Sequence, residues 1–158
     1  MYLRTFRRLA VISTMACGAS HPPPVAPVAA RSKLQLAVIP AESDAFPRAA
    51  RAISRSLAAA KLTGVDETRV SKASLEVVQL SIECVDANEV CYQAIGLSMA
   101  ANRLLFARID SLARRKLKVT VTLYDVDANA VARTGVHEFA TEDDASEGAA
   151  ALVAEVTR

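Results

Sequence analysis

The alternation of hydrophobic and polar residues from position 33 onward predicts a mixed α/β domain. The segment KLQLAVIP, residues 33–40, is apolar on both faces and ends at a proline, as expected of a central strand. The segment at residues 43–64 instead repeats its apolar positions at helical spacing, and Ser43 or Asp44 is available as its N-cap. We expect this helix to end at Gly64.

The segment SKASLEVVQLSIEC, residues 71–84, fits two structures. Its apolar residues recur at helical spacing and also at the alternating spacing of a strand. A helix is favoured because Ser71 or Ser74 can cap it and Glu76 then falls in its first turn.

A further helix is predicted in NEVCYQAIGLSMAAN, with Asn88 as its N-cap and Asn102 as its left-handed terminator. A buried strand follows at residues 103–109, and a hairpin follows at residues 116–126 and 131–141. The last helix, at residues 142–158, has acidic residues in its first turn. The predicted order is β-α-α-α-β-β-β-α, in a single domain at residues 33–158 with a small mixed sheet of about four strands. The first strand and residues 103–109 should be parallel neighbours joined by a helical crossover, and the hairpin should extend the sheet.

The first 20 residues have the three parts of an export signal, and the predicted signal peptide is residues 1–16. A basic region with three arginines precedes the apolar run Leu9–Ala16, and small residues follow. The run is too short to cross a bilayer, which takes about 20 apolar residues. A signal peptide is favoured over an amphipathic helix of a cytosolic protein because the run has no charged face.

The sequence TMAC, which ends at Cys17, resembles the lipobox of bacterial lipoproteins. In that family the cysteine becomes the lipidated first residue of the mature chain. Ala16 fits the pattern, whereas Thr14 replaces the usual large aliphatic residue. Acyl chains on Cys17 would anchor the domain to a membrane, and Gly18 after the cysteine implies, by the same resemblance, the outer membrane, facing the periplasm. The alternative is an ordinary signal peptide cut after Ala19, which would give a soluble periplasmic or secreted protein.

Residues 17–32 join the predicted anchor to the domain. The stretch HPPPVAPVAARS contains four prolines, which favour an extended polyproline II spacer of about 3 Å per residue. Such a spacer would hold the domain away from the membrane surface.

The charge of the chain argues against a nucleic-acid partner. The net charge of +2 includes Arg4, Arg7 and Arg8, and without them 16 basic side chains face 17 acidic ones. A near-neutral domain lacks the basic surface of a nucleic-acid-binding protein. The chain also has no Gly-rich phosphate loop, and we expect no cofactor.

Two cysteines with six residues between them, Cys84 and Cys91, are best explained as a disulfide. The predicted helices place them on either side of a tight turn, and an exported domain lies in an oxidising compartment. Zinc binding is disfavoured because paired zinc cysteines typically have two to four residues between them, whereas here there are six, and His137 is the only histidine of the domain. A nucleophilic Cys91 with His137 as its base, and a pair of free buried thiols, remain as alternatives.

Other chemistry-like motifs have simpler explanations. Ser98 in GLSMA lies late in a predicted helix, whereas a nucleophile elbow needs a strand before the serine. The stretch DVDANA lacks the glycine and the final glutamate of a calcium loop and suits a hairpin turn. We therefore predict no metal site and no catalytic residues.

A protein-interaction module is the favoured function, and an envelope protein is the expected partner. Arg48, Arg51 and Arg55 line one side of the first helix and form the candidate partner surface, although such a stripe is commonly just the solvated face. The free edge of the hairpin is a second candidate, through strand addition. The alternative function is a periplasmic small-ligand binder or enzyme centred on His137, with Glu138, Asp125 and Asp127 nearby.

The chain from residue 33 to residue 139 resembles a group of small exported bacterial lipoproteins whose domain is similar to the amino-terminal, anticodon-binding-like domain of TolB. The resemblance lies in a helix of the form C-x-x-x-(I/L)-G-x-x-x-(G/S)-A-(D/N) that leads into a strand. Five residues of this chain match that form, namely Cys91, Ile95, Gly96, Ala101 and Asn102, while Ala100 stands where glycine is frequent. The resemblance implies an envelope interaction or accessory module and supplies no catalytic residues.

Overall fold

Five strands form one mixed sheet in the order β2-β1-β3-β4-β5 in the computed structural model, which describes residues 33–84 and 86–158. The predicted signal peptide at residues 1–16, Cys17 and the proline-rich spacer lie outside the described residues. The strands are β1 (Gln35–Val38), β2 (Glu67–Val70), β3 (Arg103–Ser111), β4 (Leu117–Asp125) and β5 (Ala130–Phe139). The helices are α1 (Pro47–Ala59), α2 (Leu75–Ser81), α3 (Glu89–Ser98) and α4 (Glu142–Thr157).

Strand β3 lies between the parallel part of the sheet and its antiparallel part. Strand β1 is parallel to β2 on one side and to β3 on the other. Strands β3, β4 and β5 form an antiparallel meander. The predicted fold class, the parallel pairing of the first strand with β3 and the hairpin are all confirmed.

The helices pack on both faces of the sheet. Helices α1 and α4 cover one face, where their apolar residues meet alternate residues of β1, β3 and β4. Helix α3 and the partly buried apolar residues of α2 cover the other face, against the remaining alternate residues. Because β1 and the first half of β3 are covered on both sides, residues 36–39 and 104–107 are apolar throughout, as the pattern predicted.

Strand β2 was missed by the sequence prediction, so the sheet has five strands instead of about four. Its four residues, Glu67–Val70, are all exposed and include two charged side chains. An edge strand of this kind carries no hydrophobic alternation, and its position depends on backbone pairing with β1.

The predicted helix at residues 71–84 is confirmed as α2, although it is shorter than predicted. The predicted end of the first helix is wrong, because α1 stops at Ala59 and Gly64 lies in the following turn with a φ of 83°. No helix within the described ranges is both long and apolar enough to cross a membrane.

The end of α3 also differs from the prediction, because Ala100 rather than Asn102 takes the left-handed conformation, with a φ of 52°. The N–H of Ala101 donates to the Gly96 carbonyl at 2.9 Å and that of Ala100 donates to the Leu97 carbonyl at 3.1 Å, which is a Schellman motif. Glycine is the usual residue at this position because it has no Cβ to clash.

We expect Ala100→Gly to stabilise the protein by roughly 0.5–1 kcal/mol. Relief of the left-handed backbone is worth about 1–2 kcal/mol, and the greater freedom of glycine in the unfolded chain offsets part of it. Chemical denaturation measures the difference. The matched control, Ala94→Gly at an exposed position inside α3, should instead destabilise by about 1 kcal/mol. A loss of stability in Ala100→Gly would contradict the left-handed assignment.

Candidate interaction surface

The three arginines of the candidate partner surface have different surroundings. Arg48 forms ion pairs with two acids at the start of α4, at 3.2 Å from Glu142 and 2.9 Å from Asp143. Arg51 and Arg55 are exposed, and neither forms an ion pair with a described residue. Arg48 therefore joins two helices, and the part of the stripe open to a partner consists of Arg51 and Arg55.

The amino terminus of α1 is capped by a side chain from another helix. The predicted caps do not serve, since the N-cap residue is Phe46 and Ser43 accepts a hydrogen bond from the Phe46 N–H instead. Glu142 of α4 accepts hydrogen bonds from the N–H groups of Arg48 and Ala49, the latter at 3.1 Å. Burial alone would raise the pKa of Glu142, but these backbone donors and the Arg48 guanidinium hold that pKa below its ordinary value.

Replacing Glu142 with glutamine is expected to destabilise the protein at neutral pH more than in acid. A carboxyl whose pKa is lowered by folding stabilises the native state above its unfolded pKa of 4.5 and loses that effect as the pH falls through the folded value. Urea denaturation of both proteins at pH 7 and pH 3 should show a gap that shrinks in acid. Glu147→Gln, at an exposed site on the same helix, serves as the control, and a gap independent of pH would contradict the capping role.

A disulfide joins Cys84, three residues after α2, to Cys91, in the first turn of α3. Their Cα atoms are 5.7 Å apart, within the usual range for such a bond. The predicted N-cap of α3 is confirmed, because Asn88 accepts a hydrogen bond from the Cys91 N–H at 3.0 Å. The bond closes the corner between two helices on the same face of the sheet.

We expect Cys84→Ala/Cys91→Ala to lower the free energy of unfolding by roughly 2 kcal/mol, because a short loop removes limited entropy from the unfolded chain. Denaturation of the oxidised wild type, the reduced wild type and the double variant measures this loss. Reductant should destabilise the wild type and leave the variant unchanged. An equal response of both proteins to reductant would show that the disulfide does not contribute.

The side chains of the alternative His137 site are not brought together. His137 and Phe139 lie on the same face of β5, with their ring centroids 5.3 Å apart, and His137 is exposed. His137 pairs with Val119 and Ala130 pairs with Asp125, which places Asp125 and Asp127 at the opposite end of the hairpin from His137. Asp125 lies six positions along β4 from Val119, a distance of about 20 Å. Glu138 follows His137 in β5 and therefore points to the other face of the strand.

The two hairpin acids hold backbone and side chains in place. Asp125 forms an ion pair with Arg103 at 2.7 Å, and Asp127 accepts a hydrogen bond from the Asn102 amide at 2.8 Å. Asn102, predicted as a helix terminator, is buried and also accepts a hydrogen bond from the Gln35 N–H. No group of three or more metal-ligating side chains occurs among residues 33–84 and 86–158.

Both edges of the sheet are open in the part of the chain that the structure describes. Strand β5 pairs with β4 alone, and it exposes Val131 and Val136. At the other edge, β2 pairs with β1 alone. An open edge offers unpaired backbone groups to an added strand, so β5 remains available for the predicted strand addition.

Comparison with known proteins identifies no family for this chain. No protein-family profile matches the sequence, and no curated protein matches it. Its structural neighbours include PelC, the LpoB C-terminal domain and TolB. A PelC dodecamer from Paraburkholderia phytofirmans, solved as a single-residue variant, is 20% identical, with a TM-score of 0.40, and the match covers 80% of this chain and 87% of that one.

The other two neighbours are more distant in sequence. The LpoB C-terminal domain from Salmonella enterica is 13% identical, with a TM-score of 0.42 over 68% of this chain and 82% of that one. TolB from Acinetobacter baumannii is 14% identical, with a TM-score of 0.38 over 74% of this chain and 25% of that one. At these scores the likenesses transfer no function, and the resemblance to the amino-terminal domain of TolB stays a prediction.

Proposed function

We propose that this protein is an exported envelope lipoprotein whose domain acts as a non-enzymatic interaction or accessory module. Cys17 carries the lipid, residues 17–32 space the domain from the outer membrane, and a protein in the periplasm is the partner. The observation that carries the proposal is the Cys84–Cys91 disulfide in a chain whose first residues have the pattern of an export signal. The two features lie far apart in the sequence and independently favour an oxidising compartment.

The separation of His137 from Asp125 and Asp127 supports an interaction role over the enzymatic alternative. General acid–base chemistry needs its groups within hydrogen-bonding reach of one substrate, and about 20 Å of strand separates His137 from Asp125. No observation specifically favours the small-ligand or enzymatic alternative centred on His137.

Photocrosslinking in cells tests the proposal. A photoreactive residue is placed at Arg51 on α1, or at Arg133 on the β5 edge, in the full-length chain with its native signal. We expect a discrete adduct in the envelope fraction from at least one position, and its yield should fall when an unlabelled copy of the chain is co-expressed. Absence of any saturable adduct, with the protein present in the envelope, would overturn the interaction role.

Charge reversal locates the contact. If the α1 surface binds the partner, Arg51→Glu/Arg55→Glu should weaken the adduct while the chain remains folded. Arg48 is unsuitable for this purpose, because its reversal would break the contacts with Glu142 and Asp143 and disturb the junction of α1 and α4. Arg114→Glu/Arg115→Glu, in the turn before β4, gives a matched control with the same change in charge.

A further inference from the structure

A groove of about 570 Å³ opens at the carboxyl end of β1. The loop after β1, helix α2 with the corner that follows it, and the second half of β3 enclose it. Open α/β sheets tend to bind ligands at this end of their parallel strands, where successive connections leave on opposite faces. Here α1 follows β1 on one face and α2 follows β2 on the other, and the groove lies on the β3 side of the end of β1.

One wall of the groove is an unpaired stretch of β3. Strand β1 pairs with β3 up to Val38 opposite Leu105, and the Ile39 N–H then donates to the Leu105 carbonyl at 2.9 Å. Strand β3 continues to Ser111, and alternate residues of a strand direct their backbone groups to the same side. Ala107 and Ile109 therefore face the side that β1 has left, and no described strand pairs with them there. The groove thus contains a short open strand edge.

A buried hydroxyl lines the same groove. Ser74 precedes α2, is 8% exposed, and its Oγ has no hydrogen-bond partner in the described part of the chain. A buried polar group without a partner destabilises the state that contains it. A bound group that hydrogen-bonds to Ser74 would therefore gain free energy that a fully satisfied wall could not supply.

The rim of the groove is negatively charged. Glu42, Glu76 and Glu83 line it, are exposed, and form no ion pair with any described residue. Asp110 and the cation Arg108 also line it and lie 3.8 Å apart, and Asp110 is 3.2 Å from Lys118. Three unpaired carboxylates around one opening favour a cationic occupant.

We infer that this groove binds an extended, basic segment of a partner protein. The segment adds to β3 at Ala107 and Ile109, and its lysine or arginine side chains meet the carboxylates of the rim. Peptide recognition by strand addition combines backbone hydrogen bonds with contacts to alternate side chains, and the groove offers both. A small amine would use the acids and leave the strand edge unpaired. The inference rests on the proposed interaction function and gives it a surface and a class of ligand.

Fluorescence anisotropy with a defined peptide tests the inference. The full-length chain in detergent is titrated into a labelled seven-residue peptide of alternating valine and lysine. We expect saturable binding, and about tenfold weaker binding both when glutamate replaces lysine and when the peptide's alternate amides are N-methylated. The first change removes the charge complementarity, and the second removes the backbone donors needed for strand addition.

Variants of the protein assign the site. Glu76→Lys/Glu83→Lys should weaken the lysine peptide by about tenfold, since it reverses two charges of the rim. Glu147→Lys/Glu155→Lys, at two exposed acids of α4, makes the same change in total charge and should leave binding within about twofold of the wild type.

Four results would overturn the inference. Unchanged binding in the rim variant would place the peptide elsewhere, such as on the edge of β5. Unchanged binding of the N-methylated peptide would exclude strand addition. Full competition by spermidine would show a site for small cations. If the peptide fails to bind while the cellular crosslink persists, the inference falls and the proposed function stands. If the peptide binds but no saturable crosslink forms in cells, the groove binds basic segments and the proposed function falls.

Discussion

Replacing Cys17 with alanine is expected to remove the protein from the membrane fraction. Each buried methylene of an acyl chain contributes about 0.8 kcal/mol of membrane affinity, and two or more chains give stable anchoring. The proline-rich spacer and the near-neutral domain offer nothing of comparable strength. In the wild type nearly all of the protein should sediment with membranes and incorporate labelled fatty acid, and the Cys17→Ala variant should do neither once its signal is cleaved.

Mass spectrometry of the mature amino terminus separates the two modes of processing. A lipid-modified Cys17 as the first residue identifies lipoprotein processing, whereas an unmodified terminus after Ala19 identifies ordinary signal cleavage. The Cys84→Ala variant is the control, because it removes a different cysteine and should keep both the label and the membrane location. A wild-type protein that is soluble and unlabelled would contradict the lipid anchor and leave export in place.

Phe106→Ala is expected to cost about 3–5 kcal/mol of stability, a large share of the roughly 5–15 kcal/mol that holds a domain folded. Phe106 is 2% exposed in β3, and its ring centroid lies 4.8 Å from that of Tyr92 on α3. Tyr92 in turn contacts the Tyr124 ring of β4 at 5.6 Å. Removal of the Phe106 ring leaves a cavity beneath α3 that its neighbours cannot fill.

Urea denaturation measures this loss as a lower midpoint. Phe106→Leu is the matched control, because it keeps most of the apolar volume and should cost about 1 kcal/mol or slightly more. We also expect Phe106→Ala to weaken peptide binding in the groove, since α2 is connected to α3 through the disulfide corner. A loss below about 1.5 kcal/mol would contradict the packing of α3 on this face.

The helical and strand periods of the chain determined most of its elements. Residues 117–125 alternate so clearly that β4 was predictable to within a residue at each end. The amphipathic pattern after Pro47 identified α1, and Asn88 identified the start of α3. These signals are local, because a strand or helix that buries one face must repeat its apolar residues at that element's own period.

Sequence reasoning failed where a distant residue decides the local structure. Strand β2 exists because β1 supplies its hydrogen bonds, and the four exposed residues of β2 carry no hydrophobic period. The cap of α1 comes from Glu142, which lies 94 residues after Arg48, so neither Ser43 nor Asp44 is needed. Arg48 had the spacing of a solvated stripe, and only the packing of α1 on α4 shows that it holds two helices together.

The groove at the end of β1 also depends on residues that are distant in the sequence. Glu76 and Glu83 have ordinary positions on or near a short helix, and Ala107 and Ile109 have ordinary positions in a buried strand. Their proximity follows from the early end of β1, which leaves β3 unpaired beside α2. By itself the sequence determined the cysteine pair and the order of most elements, and it predicted the export signal and the lipid site, because each of these is a local pattern. The tertiary structure alone decided the fifth strand, the cap of α1, the separation of His137 from Asp125 and Asp127, and the open edge of β3, because each depends on which distant segments meet.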